Sequence, residues 1–119
     1  MTITIHQKRN NLILKSLKNK IIINDLYKSG LTARSCSLLL KFKLDESSPF
    51  KEFCFTVSKK KFPRAVDRNK IKRLLREIIR NNSDSFPAGQ FLVVYKNKSV
   101  PFFSSLKFEL KKLLKDLKS

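Results

Sequence analysis

The sequence predicts an α/β (α+β) fold, a two-layer sandwich in which helices cover one small mixed sheet. Three observations lead there. Ser37–Leu44 and Phe53–Ser58 alternate apolar and other side chains at the two-residue period of a strand. Ile71–Ile79 and Leu106–Leu117 repeat apolar residues at i, i+3, i+4 and i+7, the period of a helix with one buried face. The two patterns are interleaved along the chain, which places helices against a sheet. Residues 1–15 read as an N-terminal arm and 16–119 as one domain, a length that supports a single sizeable core.

Taken in order, Met1–Asn11 has a brief alternation (Ile3, Ile5) and then basic and polar residues, as in an extended arm. Ser16–Ser29 gathers Leu17, Ile22, Ile23, Leu26 and Tyr27 on one side, and Gly30 follows as a helix stop in left-handed conformation. The Ile21-Ile22-Ile23 run also suits a strand; the Gly30 stop favours a helix. The first strand sets Leu38, Leu40, Phe42 and Leu44 against Leu39, Lys41 and Lys43. Asp45–Pro49 is turn material. The second strand sets Phe53, Phe55 and Val57 on one face and the smaller Cys54, Thr56 and Ser58 on the other.

A basic helix then spans Asp67 to Arg80, with Asp67 as N-cap and Asn81-Asn82-Ser83 as its stop. Ile71, Leu74, Leu75, Ile78 and Ile79 form its buried stripe. At about 100° per residue, Asn69, Arg73, Arg76 and Arg80 point outward, and Arg68, Lys72 and Arg76 form a basic shoulder. Ser83–Gly89 is a loop, and Phe91–Lys96 is apolar enough to be an interior strand. Pro101 suits the first position of a C-terminal helix whose stripe is Leu106, Leu110, Leu113, Leu114 and Leu117. A strand–helix–strand unit around the basic helix is right-handed by the general rule if its strands are parallel.

Charge narrows the function. The chain carries 27 Lys+Arg against 9 Asp+Glu, a net +18. Self-repulsion on that scale points to a polyanionic partner, and nucleic acid fits best because phosphate neutralisation releases counterions. Two cysteines, Cys36 and Cys54, and the single His6 do not make a zinc site. Both cysteines fall in apolar runs, so they read as buried free thiols, consistent with a reducing compartment. No apolar run approaches the roughly 20 residues of a membrane span, and a cytoplasmic protein is expected. The scattered acids offer no carboxylate cluster for a two-metal nuclease and no Ser/His/Asp trio. No residue of this chain is expected to be catalytic or to hold a metal.

FTVSKK (Phe55–Lys60) followed by AVDRNKIKRLLRE (Ala65–Glu77) resembles the signature region of the protein subunit of bacterial ribonuclease P. More thinly, the resemblance runs from about Leu17 to the C-terminus. It departs from the family pattern at Lys70, where Arg is usual, at Ile23, at Cys54, and at Pro63-Arg64. The resemblance implies a ribosomal-protein-like α/β sandwich whose strand–helix–strand crossover is left-handed, against the general rule. It implies a subunit that serves, one protein per RNA, a catalytic RNA which removes the 5′ leader of precursor tRNA with Mg²⁺. By the same resemblance, Arg68, Asn69, Lys70 and Arg73, with Lys59 and Lys60, contact that RNA. A cleft between the first helix, the sheet and the basic shoulder takes the single-stranded leader, lined by Tyr27, Ile23, Thr56, Ser58, Lys72 and Arg76. No membrane is involved.

Overall fold

The computed structural model describes residues 14–118, so the expected arm over Met1–Asn11 and the side chain of Leu117 lie outside what is described. The elements are β1 (Leu14–Ser16), α1 (Lys20–Ser29), β2 (Leu31–Arg34), β3 (Leu38–Leu44), β4 (Lys51–Val57), α2 (Ala65–Asn81), β5 (Gly89–Tyr95) and α3 (Phe103–Lys118). A short 3-10 turn, Ser83–Ser85, follows α2. The strands form one mixed sheet in the order β1-β4-β5-β3-β2. β1 and β5 both run parallel to β4, whereas β3 is antiparallel to β5 and to β2. The α/β fold is as expected, and the two strands flanking α2 are parallel neighbours.

β5 is central because both its faces are apolar. Phe91, Val93 and Tyr95 enter the main core, while Leu92 joins a second cluster on the opposite face. The main core lies between the sheet and the pair α2 and α3. It receives Phe53 and Val57 from β4, Leu38, Leu40 and Phe42 from β3, Ile71, Leu75, Ile78 and Ile79 from α2, and Leu106, Leu110, Leu113 and Leu114 from α3. Stacked and edge-on rings of Phe53, Phe86 and Phe91, with centroids 4.9–5.5 Å apart, fill its β4–β5 end. α1 covers only part of the other face, where Leu26 and Leu17 pack on Leu92. The sandwich therefore has a full helical layer on one side and a single helix on the other.

Several local expectations are corrected. The first helix begins at Lys20, not Ser16, because the Asn19 side chain accepts hydrogen bonds from the Ile21 and Ile22 N–H groups at 3.0 and 3.3 Å. Upstream of it, Leu14 and Lys15, placed in the arm by sequence, belong to β1. Gly30 is extended (φ −69°, ψ 157°), not left-handed. Glycine is required there by proximity, since a Cβ would sit 2.6 Å from the Leu26 carbonyl oxygen.

α2 starts two residues before the expected cap. Arg64 occupies the N-cap without a side-chain hydrogen bond, and Asp67 lies in the first turn, where its charge favours the helix dipole. The stop is as expected: Asn82 Nδ2 donates to the Ile78 carbonyl at 2.8 Å. Pro101 precedes α3 by two residues, as the Phe102 carbonyl accepts from the Leu106 N–H and opens the helix.

Candidate nucleic-acid interface

The β4–α2 connection fixes where the cations stand. The Ser58 carbonyl accepts from the Phe62 N–H at 2.9 Å, closing a turn that leaves Lys59 and Lys60 exposed. Lys61 Nζ donates to the Lys96 carbonyl, tying that turn to the end of β5. Arg68 Nη1 donates to the Phe62 and Pro63 carbonyls at 2.8 and 2.9 Å. The Lys59-Lys60 turn is thus held rigidly against the first turn of α2. Asn69, Lys70 and Arg73 are exposed, since the stripe Ile71, Leu75, Ile78 and Ile79 is buried and turns their side of the helix outward.

Arg68 is half-buried, and one of its two terminal nitrogens is committed to the loop. The family resemblance gives Arg68 and Arg73 the same role, whereas winding sets them on different sides, and the structure separates them too. Ser58, expected on the sheet floor of the cleft, lies one residue past β4 and serves the turn, its Oγ accepting from the Lys61 N–H.

The second set of residues is divided among elements: Ile23 and Tyr27 stand on α1, Thr56 on β4, Ser58 just past it, and Lys72 and Arg76 on α2. β1 pairs only with Lys51–Phe53, and Leu17 N–H adds one bond to the Phe53 carbonyl at 2.8 Å. From Cys54 onward that edge of β4 is not covered by β1. On the α1 face, Ile23 and Cys54 both pack against the Leu17, Leu26 and Leu92 cluster, and Thr56 is exposed beside them. Tyr27 lies one turn beyond Ile23 and is 63% exposed. Burial pushes the Cys54 thiol up from its ordinary pKa, while Thr56 and the positive charge of Lys72 pull it partly back. Lys72 is half-buried and close enough to β4 for its charge to be felt at that thiol.

Arg76 behaves differently from its neighbour on the shoulder. Its guanidinium lies over the Phe55 ring, 5.6 Å from the centroid, and Phe55 points to the α2 face of the sheet. There Arg76 lines a groove with Leu14, Lys15, Phe53, Ile79 and Arg80. Of these two shoulder residues, Arg76 is thus the one placed against the β4 side chains, over Phe55 and beside β1. Lys15 was missed by sequence reasoning, and Arg80, expected on the outward ridge, lines this groove as well. A three-residue strand, Leu14–Ser16, leaves no period by which Lys15 could be found.

Among the described residues no group of three or more His, Cys, Asp and Glu side chains is placed to hold a metal, and no helix is long and apolar enough to cross a membrane. The arrangement offers an outward ridge of cations on α2, an uncovered edge of β4 beyond Phe53 and an exposed tyrosine on α1.

The ribonuclease P family model matches residues 14–118. The chain is 30% identical to the ribonuclease P protein component of Chlorobaculum tepidum, over 97% of this chain and 88% of that one. It is 51% identical to the component of Chlamydia felis over a shorter region, 43% of this chain and 36% of the other. In three dimensions it is similar to the Staphylococcus aureus RNase P protein, with a TM-score of 0.75 and 23% identity over 87% and 94% of the two chains. The RNase P protein from Thermotoga maritima gives a TM-score of 0.74 and 24% identity over 85% and 96%. The fold is shared with these solved structures, and by sequence the chain belongs to the ribonuclease P protein component family.

Proposed function

We propose that this chain is the protein subunit of a ribonucleoprotein that removes the 5′ leader from precursor tRNA, one protein per RNA, in the cytoplasm. The observation that carries the proposal is the division of α2: a buried aliphatic stripe on one side, and exposed Asn69, Lys70 and Arg73 beside the braced Lys59-Lys60 turn on the other. That ridge binds the catalytic RNA, with Arg68 both bracing the loop and lending its remaining donors. Hydrolysis belongs, in this reading, to the RNA and its Mg²⁺, and the chain's part is to bind.

The open edge of β4 is the leader site in this reading. Tyr27 supplies a ring on which a base stacks, Ile23 and Cys54 an apolar wall, and Thr56 and Ser58 hydroxyl partners. Lys72 neutralises leader phosphates, and Arg76 does so where the strand passes over the edge toward Phe55. The protein's physical work is to screen repulsion between two RNAs and to lower the Mg²⁺ the RNA requires.

Substrates with and without a leader test the assignment. Lys72→Ala and Tyr27→Ala are expected to reduce only the affinity gained from a long leader, each by about 1–2 kcal/mol. Arg73→Ala is expected to weaken holoenzyme assembly whatever the leader length. Equal losses on leaderless substrate for Lys72→Ala and Tyr27→Ala would remove the cleft assignment.

A further inference from the structure

A second groove opens at the far side of the molecule, between the β2–β3 connection and α3. Arg34, Cys36, Phe108, Glu109, Lys112 and Lys115 line it. Its wall is built rather than incidental: Glu109 Oε1 accepts from Ser35 Oγ at 2.6 Å and from the Ser37 N–H at 2.7 Å. Those two bonds clamp the connection onto the helix and occupy the one carboxylate in the groove. The remaining charges are three cations.

Phe108 is 62% exposed although α3 buries Leu106, Leu110, Leu113 and Leu114, and Lys112 Nζ stands 4.8 Å from its ring centroid. The ring contributes nothing to the core. A large exposed aromatic set among cations is what a base stacked above a phosphate-bearing backbone requires.

We propose that this groove is a second contact with the catalytic RNA, taking an unpaired stretch with one base on Phe108 and its phosphates on Arg34, Lys112 and Lys115. The inference rests on the ribonucleoprotein reading above. Charge complementarity selects a polyanion, and the ring favours nucleotides over an acidic peptide. Position selects the catalytic RNA over the leader: β2 and β4 are separated by β5 and β3, three strand spacings or roughly 14 Å. Catalytic RNA held on the α2 ridge and again at the β2 side of α3 would fix the protein at two places and leave the β4 edge to substrate.

Cys36 provides the probe: its apolar run suggests a buried thiol, but the β2–β3 connection leaves it exposed in the groove. In a Cys54→Ser background, N-ethylmaleimide is expected to alkylate Cys36 about fivefold or more slowly once the full chain is assembled with its cognate RNA, without substrate. Phe108→Ala is expected to leave the melting temperature unchanged and to weaken RNA binding about fivefold or more, with Phe108→Trp restoring it. Equal alkylation rates for free and assembled protein, or unchanged binding by Phe108→Ala, overturn the proposal. Protection that appears only when precursor tRNA is added also overturns it, by making the occupant substrate. Arg73→Ala is measured in parallel. If it weakens binding while Phe108→Ala does not, only the groove assignment falls; if neither does, the ribonucleoprotein reading falls with it.

Discussion

Arg68 and Arg73 stand five residues apart on one helix with the same charge, and their surroundings give them different work. Arg68 spends Nη1 on two backbone carbonyls of the preceding loop, whereas Arg73 is exposed. Arg68→Ala should therefore lower stability by about 1–2 kcal/mol in urea unfolding, because two carbonyls lose a charged donor. Arg73→Ala should stay within about 0.5 kcal/mol of the parent. Both should weaken RNA binding.

Cys54 supports a pH prediction. Its folded pKa is raised above the ordinary 9.0, mainly by burial, so the folded state holds the thiol proton more tightly than the unfolded chain. Its contribution is fully present below that ordinary value and is lost as pH rises through the folded pKa. Tyr95, raised by burial and by Glu109, has the same sign. Lys51, lowered by burial against the pull of Asp84, has the opposite sign, because its folded form favours the neutral amine. The difference between parent and Cys54→Ser isolates the thiol. Between about pH 8 and about pH 10, the parent should lose more stability than the variant in parallel denaturant titrations.

At the scale of elements, the long periodic segments were legible and the short ones were not. The stripe from Ile71 to Ile79 specified α2 and its buried face, and alternation specified β3 and β4 with their faces. β1 and β2, of three and four residues, are too short to show a period. They exist because β4 and β3 offer open edges, a pairing that only the folded chain supplies. Gly30 was correctly marked as special but for the wrong reason, as helix-end statistics favour a left-handed residue where close packing on Leu26 was the actual demand. The site divided in the same way. Winding separated the ridge of α2 from its stripe, but it could not show that Arg76 turns to Phe55, since that depends on how α2 packs on the sheet.

Two substitutions test these elements. Leu75→Ala, at the centre of the α2 stripe, should cost about 2–5 kcal/mol through the cavity it leaves. Gly89 opens β5 at φ +150°, and a Cβ there would meet the Lys43 carbonyl oxygen at 2.4 Å. Gly89→Ala should accordingly cost about 2–3 kcal/mol and loosen the β3–β5 register, seen as faster amide exchange at Phe42 and Phe91.

For the whole molecule, charge sets both the difficulty and the function. A net +18 on 119 residues repels itself in isolation and is relieved when phosphates replace counterions. Added salt should therefore weaken RNA binding steeply, and Arg73→Ala should reduce the slope of log affinity against log salt by about 1. In the proposed reading, the five-stranded sheet acts as a plate that keeps the α2 ridge, for RNA, and the β4 edge, for the leader, at fixed separation.

The most direct test is cleavage of precursor tRNA at low Mg²⁺ by three samples: protein alone, cognate RNA alone, and the two together. A chain that lends charge and grip to a catalytic RNA gives cleavage only in the combined sample. Cleavage by the protein alone, or a combined rate no higher than that of the RNA, would contradict it.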